Sequence, residues 1–218
     1  MKPVMEHGIY TVAEASRLTQ LHPSRIRAWL KSRRVLSPHY VGKDSSIALD
    51  FYDLIDVRIV GLFREKRVKL SAIRRAYEQL AQDLGTDHPF CHSDLATNGQ
   101  QVFLITADRI GEKSISDAIS KQHYFADLIP LLEPIRYDEH THLASRWEIR
   151  KGIVIDPMLS FGRPVVDKTS VPANILARTY WANGQDVKLT ADLYNLTPKD
   201  VRNAVEFEEQ FGLTRLAA

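Results

Sequence analysis

Between Tyr10 and Leu36 the chain reads Y-T-V-A-E-A-S-R-L-T-Q-L-H-P-S-R-I-R-A-W-L-K-S-R-R-V-L, two short helical patterns of apolar positions separated by a Pro-marked break. Val12, Ala15 and Leu18 fall three residues apart, the repeat of one helix face. Thr11 followed by Glu14 is a capping box: the hydroxyl accepts from an orphan backbone N–H and the carboxylate accepts from the cap's own N–H, so a helix is expected from Val12. Gln20-Leu21 then turns the chain into His22-Pro23, and Pro at a first helical position predicts a second helix from Pro23 to about Arg33. On it Ile26, Trp29 and Leu30 share a face suited to burial, while Ser24, Arg27 and Lys31 share another.

Downstream the pattern changes twice. Leu70-Ser71 reads as the start of a helix over Ala72–Leu84, with Ile73, Ala76, Leu80 and Leu84 as its apolar stripe and Gly85 as its stop. From His88 to Asp138 the types are mixed. Asn98-Gly99 is a turn signal, Gln101–Thr106 a strand-like run, Asp108–Gly111 a second turn, Ser114–Gln122 a helical stretch and Asp127–Leu132 an apolar, Pro-bounded run; Ile135–Tyr137 and Ala144–Ile149 alternate like strands. From Gly152 onward come short β-like pieces, Ile153–Ile155 and Pro164–Val166, around turns at Asp156-Pro157 and Phe161-Gly162. Three helical patterns follow: one beginning at Pro172 and ending before Gly184, one over Val187–Tyr194, and one capped by Thr197 with Pro198 and Asp200 in its first turn and Gly212 beyond its end. The expected architecture is mainly α with small β elements. It divides into a helix-turn-helix part (1–85), an α+β connector (86–150) and a trihelical, helix-turn-helix-like domain (151–218).

Charge sharpens that picture. The formal net charge is only +2, yet residues 1–84 carry 15 Lys and Arg against 9 Asp and Glu, and the remainder carries 14 against 18. From Ala15 to Lys43 there are seven basic residues and no acid, the electrostatic footprint of a nucleic-acid binder. The last helix has helix-turn-helix proportions with its predecessor, but from Lys199 to Phe211 it carries Lys199 and Arg202 against Asp200, Glu206, Glu208 and Glu209. That surplus of acid opposes phosphate, so this helix reads as packing or a protein interface. The single cysteine excludes an intrachain disulfide. No run approaches the ~20 apolar residues of a membrane span, and the N-terminus has no signal-like apolar stretch, so the expected compartment is the cytoplasm, without membrane association.

His88, Cys91 and His92, with His140 and His142 some fifty residues on, are the residues whose chemistry would suit a metal. Their spacing matches no closed zinc pattern, and they read as turn and surface residues, with no cofactor expected and Cys91 an ordinary thiol. No G-x-S-x-G, phosphate-cradling glycine loop, H-E-x-x-H or paired-acid signature occurs, so no enzyme is expected.

The run Y-T-V-A-E…R-L-T-Q-L-H-P-S-R-I-R-A-W…V-L resembles the N-terminal winged helix-turn-helix of MerR-type transcription regulators. The resemblance implies a wing over Ser37–Asp50, turning at Gly42-Lys43-Asp44-Ser45, and paired helices after it. It places Arg25 and Arg27 on the recognition helix and Tyr40 and Lys43 on the wing. Gln20 and Arg34 stand where that family usually has Gly. Further on, I-D-P…S-F-G-R-P-V-V…T-S-V-P followed by L-T-P-K-D-V-R-N-A-V-E-F-E looks like the domain of unknown function 433, with Lys168 and Ser170 replacing a commonly found Gly and Arg. The joint arrangement is similar to VapB-type antitoxins, and covers almost the whole chain.

The expected function is that of an antitoxin in a type II toxin–antitoxin system, neutralising a PIN-like ribonuclease toxin and repressing its own operon as a homodimer on operator DNA. Arg25 and Arg27 are the expected base or near-base contacts, and Ser24, Lys31, Tyr40 and Lys43 the expected phosphate contacts. The alternative is a MerR-like regulator whose acidic C-terminal region senses a small molecule.

Overall fold

The computed structural model describes residues 8–31, 35–36, 40–41, 47–65, 67–93, 95 and 134–211, with only the backbone at 40–41. The wing turn with Lys43, the expected elements between Asn98 and Leu132, and Gly212 lie outside the described residues. The described residues fall into two compact units, a first made of 10–145 and a second made of 8–9 with 146–211.

In the first unit β1 (Tyr10–Thr11) leads directly into α1 (Val12–Thr19), whose start is set by the capping box: the Thr11 N–H donates to Glu14 Oε2 at 2.8 Å, and the Glu14 N–H donates to Thr11 Oγ1 at 3.2 Å. Gln20 ends α1 in the left-handed region at φ 59°, with its side-chain amide donating to the Arg17 carbonyl at 2.7 Å. A glycine-favouring conformation is therefore carried by a residue that repairs part of its cost with a local hydrogen bond. The second helix, α2 (Pro23–Leu30), is three residues shorter than the pattern predicts. Lys31 is already extended (ψ 128°), and the N–H groups of Val35 and Leu36 fold back onto the Trp29 carbonyl, burying both side chains.

A small antiparallel sheet follows in the order β1, β3 (Ile47–Leu49), β2 (Tyr40–Val41), with Tyr10 opposite Leu49 and Tyr40 opposite Ala48. The core of this unit is α3 (Phe51–Glu65), buried nearly all round: Phe51, Leu54, Ile55, Val57, Ile59, Val60, Leu62 and Phe63 are each at most 2% exposed. A helix apolar on every side is one that others pack around. Gly61 lies against the connection between α1 and α2, where an added Cβ would stand 2.8 Å from Leu21 Cδ1. Next comes α4 (Leu70–Leu84), which starts two residues earlier than expected. Its cap is Lys69, with no side-chain cap bond, and Ser71 already lies inside the helix. Tyr77 joins Ile73, Ala76 and Leu80 in its buried stripe, while Leu84 is only partly covered. Gly85 closes the helix at φ 64°. A 3-10 turn at Pro89–Cys91 packs against α3 and α4, its Phe90 ring edge-on to Phe63 and Tyr77. β4 (Ile135–Tyr137) and β5 (Ala144–Arg150) form a hairpin. Its turn is held by Asp138, whose Oδ1 accepts from the N–H groups of His140 and Thr141 and from the Thr141 hydroxyl, and these bonds, Thr141's first, hold the carboxyl below its usual range.

In the second unit β6 (Ile153–Ile155) runs antiparallel between β5 and β7 (Val165–Val166). The loop between β6 and β7 carries Ser160 and Phe161 at positive φ, held by the Ser160 hydroxyl donating to the Ser170 carbonyl at 2.8 Å. Three helices follow: α5 (Ala173–Ala182), α6 (Val187–Tyr194) and α7 (Pro198–Gln210). Pro172 is the cap of α5 and not its first residue. The side chains of Asp186 and Thr197 cap α6 and α7, and Thr197 forms a full capping box with Asp200. α7 packs on α5, α6 and the strands through Val201, Ala204 and Phe207, all fully buried. Arg150 reaches Glu206 at 2.6 Å, and also pairs with Gln210.

Candidate functional site

α2 leaves an arc of its surface to solvent. Ser24, Arg25, Arg27, Ala28 and Lys31 are exposed, and Ile26, Trp29 and Leu30 are buried against the unit. At about 100° per residue, Ser24, Ala28 and Lys31 lie along the centre of that arc, and Arg25 and Arg27 stand at its two edges, roughly 160° apart. The helix thus offers a ridge of Ser24, Ala28 and Lys31 flanked by two guanidinium groups. This is a shape that a groove can accept, with cations placed to reach either wall. The helix N-terminus is secured by His22, which the sequence reading passed over as a turn residue: its Nδ1 accepts from the Ser24 N–H at 3.3 Å and lies 2.7 Å from the Ser24 hydroxyl. The signal was present in the H-P-S run, where the residue before a first-turn proline is the cap. Tyr40 enters only through its backbone, in the β2–β3 hairpin, and Lys43 lies outside the described residues.

A second cluster was not anticipated. Asp50, Asp53 and Asp56 recur every third residue at the head of α3 and are each at most 2% exposed. Asp50 and Asp53 form a reciprocal cap: the Asp53 N–H donates to Asp50 Oδ1 at 2.8 Å, and the Asp50 N–H to Asp53 Oδ2 at 3.2 Å. Asp56 collects three donors, with His88 Nδ1 at 3.0 Å, the Tyr77 hydroxyl at 3.0 Å and Cys91 Sγ at 3.5 Å. Asp50, Asp53 and His88 each present one potential ligand atom within 4.8 Å of the others. Burial pushes the Asp56 carboxyl up, against the hydrogen bonds from His88, Tyr77 and Cys91. Burial works to lower His88, but the hydrogen bond and charge of Asp56, with Asp50 and Asp53 behind it, raise the imidazole from 6.5 to about 9. Both directions have one meaning: the Asp56–His88 pair holds its proton well above neutrality. Burial, then the Asp56 charge, raises the Cys91 thiol well above its usual value, so it is an unreactive group.

These contacts correct the reading of the histidines and cysteine. His88 and Cys91 are buried in the core of the first unit, because the Pro89–Cys91 turn inserts between α3 and α4. They are not surface residues. His92 and His142 are a separate, more exposed pair with ring centroids 5.6 Å apart, joined through the Ser93 N–H donating to the His142 carbonyl at 2.8 Å. His140 sits in the exposed hairpin turn. The structure does not bring the five together.

In the second unit, α7 shows solvent Lys199, Arg202, Glu206, Glu209 and Gln210, a mixed face with Glu206 taken up by Arg150. The exposed large apolar side chains described there are Ile9, Met158, Phe161, Ile175, Leu189 and Leu193, with Leu193 60% exposed and one helical turn from Leu189 on α6. No described helix is long and apolar enough to cross a membrane.

No protein-family model matches the chain. Among curated proteins, it is 26% identical over 227 residues to "Putative antitoxin VapB45" of Mycobacterium tuberculosis (strain ATCC 25618 / H37Rv), an alignment covering 91% of this chain and 92% of the relative. Among solved structures, its fold is that of the crystal structure of Rv2018 from Mycobacterium tuberculosis, with a TM-score of 0.74 at 24% identity over 90% of this chain and 96% of the other.

Proposed function

We propose that the chain is the antitoxin of a type II toxin–antitoxin system, with a MerR-like winged helix-turn-helix that represses its own operon and a C-terminal domain of the unknown-function-433 type that engages a PIN-like ribonuclease toxin. The observation that carries the antitoxin role is the similarity, along nine-tenths of both chains, to a protein named as an antitoxin. DNA binding is supported by the acid-free basic segment from Ala15 to Lys43 and by the exposed ridge of α2 between Arg25 and Arg27. A homodimer would set two such ridges on half-sites about one helical turn apart, at about 34 Å. For the toxin, the exposed Leu189 and Leu193 on α6 offer an apolar patch that a partner surface can cover. No catalytic role is proposed.

The reading is tested by co-expressing the chain with the toxin-like reading frame beside its gene. Relief of growth arrest and co-purification of the two proteins are expected, together with a shift of the operon's promoter DNA that weakens steeply with salt. Leu193→Asp should abolish relief and leave the DNA shift intact. Promoter release by a small metabolite in the absence of any toxin would replace this reading with that of a sensor.

A further inference from the structure

We propose that Ala28 and Lys31 are specificity-determining residues of α2, reading a thymine and a guanine one or two base pairs apart in each operator half-site. The inference rests on the DNA-binding reading and carries it further, to the bases selected. The rotation of α2 is fixed by Ile26, Trp29 and Leu30, all buried. At about 100° per residue, the direction opposite their mean falls among Ser24, Ala28 and Lys31, each within about 35° of it, whereas Arg25 and Arg27 stand about 75–90° to either side. Lys31 keeps its place on that face although the backbone leaves the helix there, because its N–H still donates to the Arg27 carbonyl. A helix seated in the major groove, about 12 Å wide and 8.5 Å deep, turns the middle of its outer face to the base edges and its flanks to the walls.

Chemistry assigns the bases. Ala28 is exposed and offers one methyl group. The C5 methyl of thymine is the apolar group on the major-groove edge, and alanine is among its ordinary partners. So short a side chain also lets the helix backbone approach the base pairs closely. Lys31, also exposed, has three donors and no acceptor, so it cannot take the amino protons of adenine or cytosine. Guanine, with N7 and O6 side by side, gives it two acceptors. The two positions differ by about 4.5 Å along the helix axis, against about 3.4 Å per base pair, which sets their targets one or two steps apart. Ser24, the third residue of the central face, is committed to the helix start: its hydroxyl lies 2.7 Å from His22 Nδ1, which also accepts the Ser24 N–H at 3.3 Å.

The test uses the full chain and the operon's promoter DNA, with the protected site first located by footprinting. Each thymine of that site is replaced in turn by deoxyuridine, which lacks only the methyl group, and each guanine by 7-deazaguanine, which lacks only the N7 acceptor; equilibrium binding is then measured. Expected is one thymine per half-site at which deoxyuridine costs about fourfold in affinity, the worth of one buried methyl group. One guanine, one or two base pairs away, should show a loss of about fivefold with the deaza base. Ala28→Gly should abolish the first difference and Lys31→Ala the second, each leaving the other intact. Glycine also loosens the helix, so the readout is the ratio of thymine to deoxyuridine affinities, which a general weakening leaves unchanged. Equal affinities for thymine and deoxyuridine throughout the site, or a difference that survives Ala28→Gly, would reduce Ala28 to clearance and overturn the proposal; so would guanine dependence that survives Lys31→Ala. Those failures leave the DNA reading standing, since the promoter is still bound, whereas failure of the wild type to shift the promoter sinks both.

Discussion

Asp56→Ala removes the acceptor on which His88, Tyr77 and Cys91 converge, in a position 1% exposed. Tyr77 can give its one hydroxyl proton wholly to the Asp87 carbonyl, and Cys91 its thiol proton to the Tyr52 carbonyl, so most of the loss falls on His88. Burial lowers the imidazole, and Asp56 leads the groups that outweigh it; the net rise from 6.5 to about 9 corresponds to about 3 kcal/mol at about 1.4 kcal/mol per unit. Stranding a buried charge on removal of its partner costs about 3–5 kcal/mol in other proteins, which agrees. The sign with pH follows from linkage: a folded-state pKa above the unfolded one stabilises fully below pH 6.5, and that stability is lost as pH rises through about 9. Urea unfolding, followed by circular dichroism, should therefore show Asp56→Ala losing about 3 kcal/mol at pH 6 and much less at pH 9.5. A loss below about 1 kcal/mol at pH 6, or one that does not shrink with pH, refutes the paired-proton account.

Other consequences are equally direct. Gly61→Ala gains about 1 kcal/mol of helix propensity but drives a methyl to 2.8 Å from Leu21, so a net loss of about 1 kcal/mol is expected, with Leu21→Val recovering part of it in the double variant; net stabilisation would show that the turn does not press on α3. Gly152→Ala meets both a φ of 81° and Asn203 Nδ2 at 2.5 Å, whereas Gly85→Ala meets only a φ of 64° in open space; thermal unfolding should rank the first as clearly worse, with Asn203→Ala narrowing the gap. Arg27→Ala is expected to weaken promoter binding by about 1–3 kcal/mol if the side chain reads a base; affinity unchanged at physiological salt in a gel-shift titration would remove Arg27 from that role.

Much of the local structure was legible because it is written in short-range chemistry. The capping box at Thr11-Glu14, the Thr197 cap with Asp200 in the first turn, the strands Ile135–Tyr137 and Ile153–Ile155, and the helix Val187–Tyr194 need only neighbouring residues to define them. The errors arose where a distant contact competes. α2 stops at Leu30, where Val35 and Leu36 fold back onto the Trp29 carbonyl and into the core. Gln20 shows the limit of glycine as a marker, since its left-handed backbone is held by a side-chain amide that composition does not reveal.

The site divides in the same way. Sequence alone determined the basic, acid-free stretch and the buried and exposed faces of α2, since periodicity and charge are properties of a single helix. It also contained the i, i+3, i+6 run of Asp50, Asp53 and Asp56, an anomaly in so apolar a helix. What only the tertiary structure decided is that all three acids are buried and that Asp56 meets His88, Tyr77 and Cys91, which come from other elements. Burial turns three ordinary aspartates into a coupled polar core, because a carboxylate removed from water must find its donors wherever the fold can bring them.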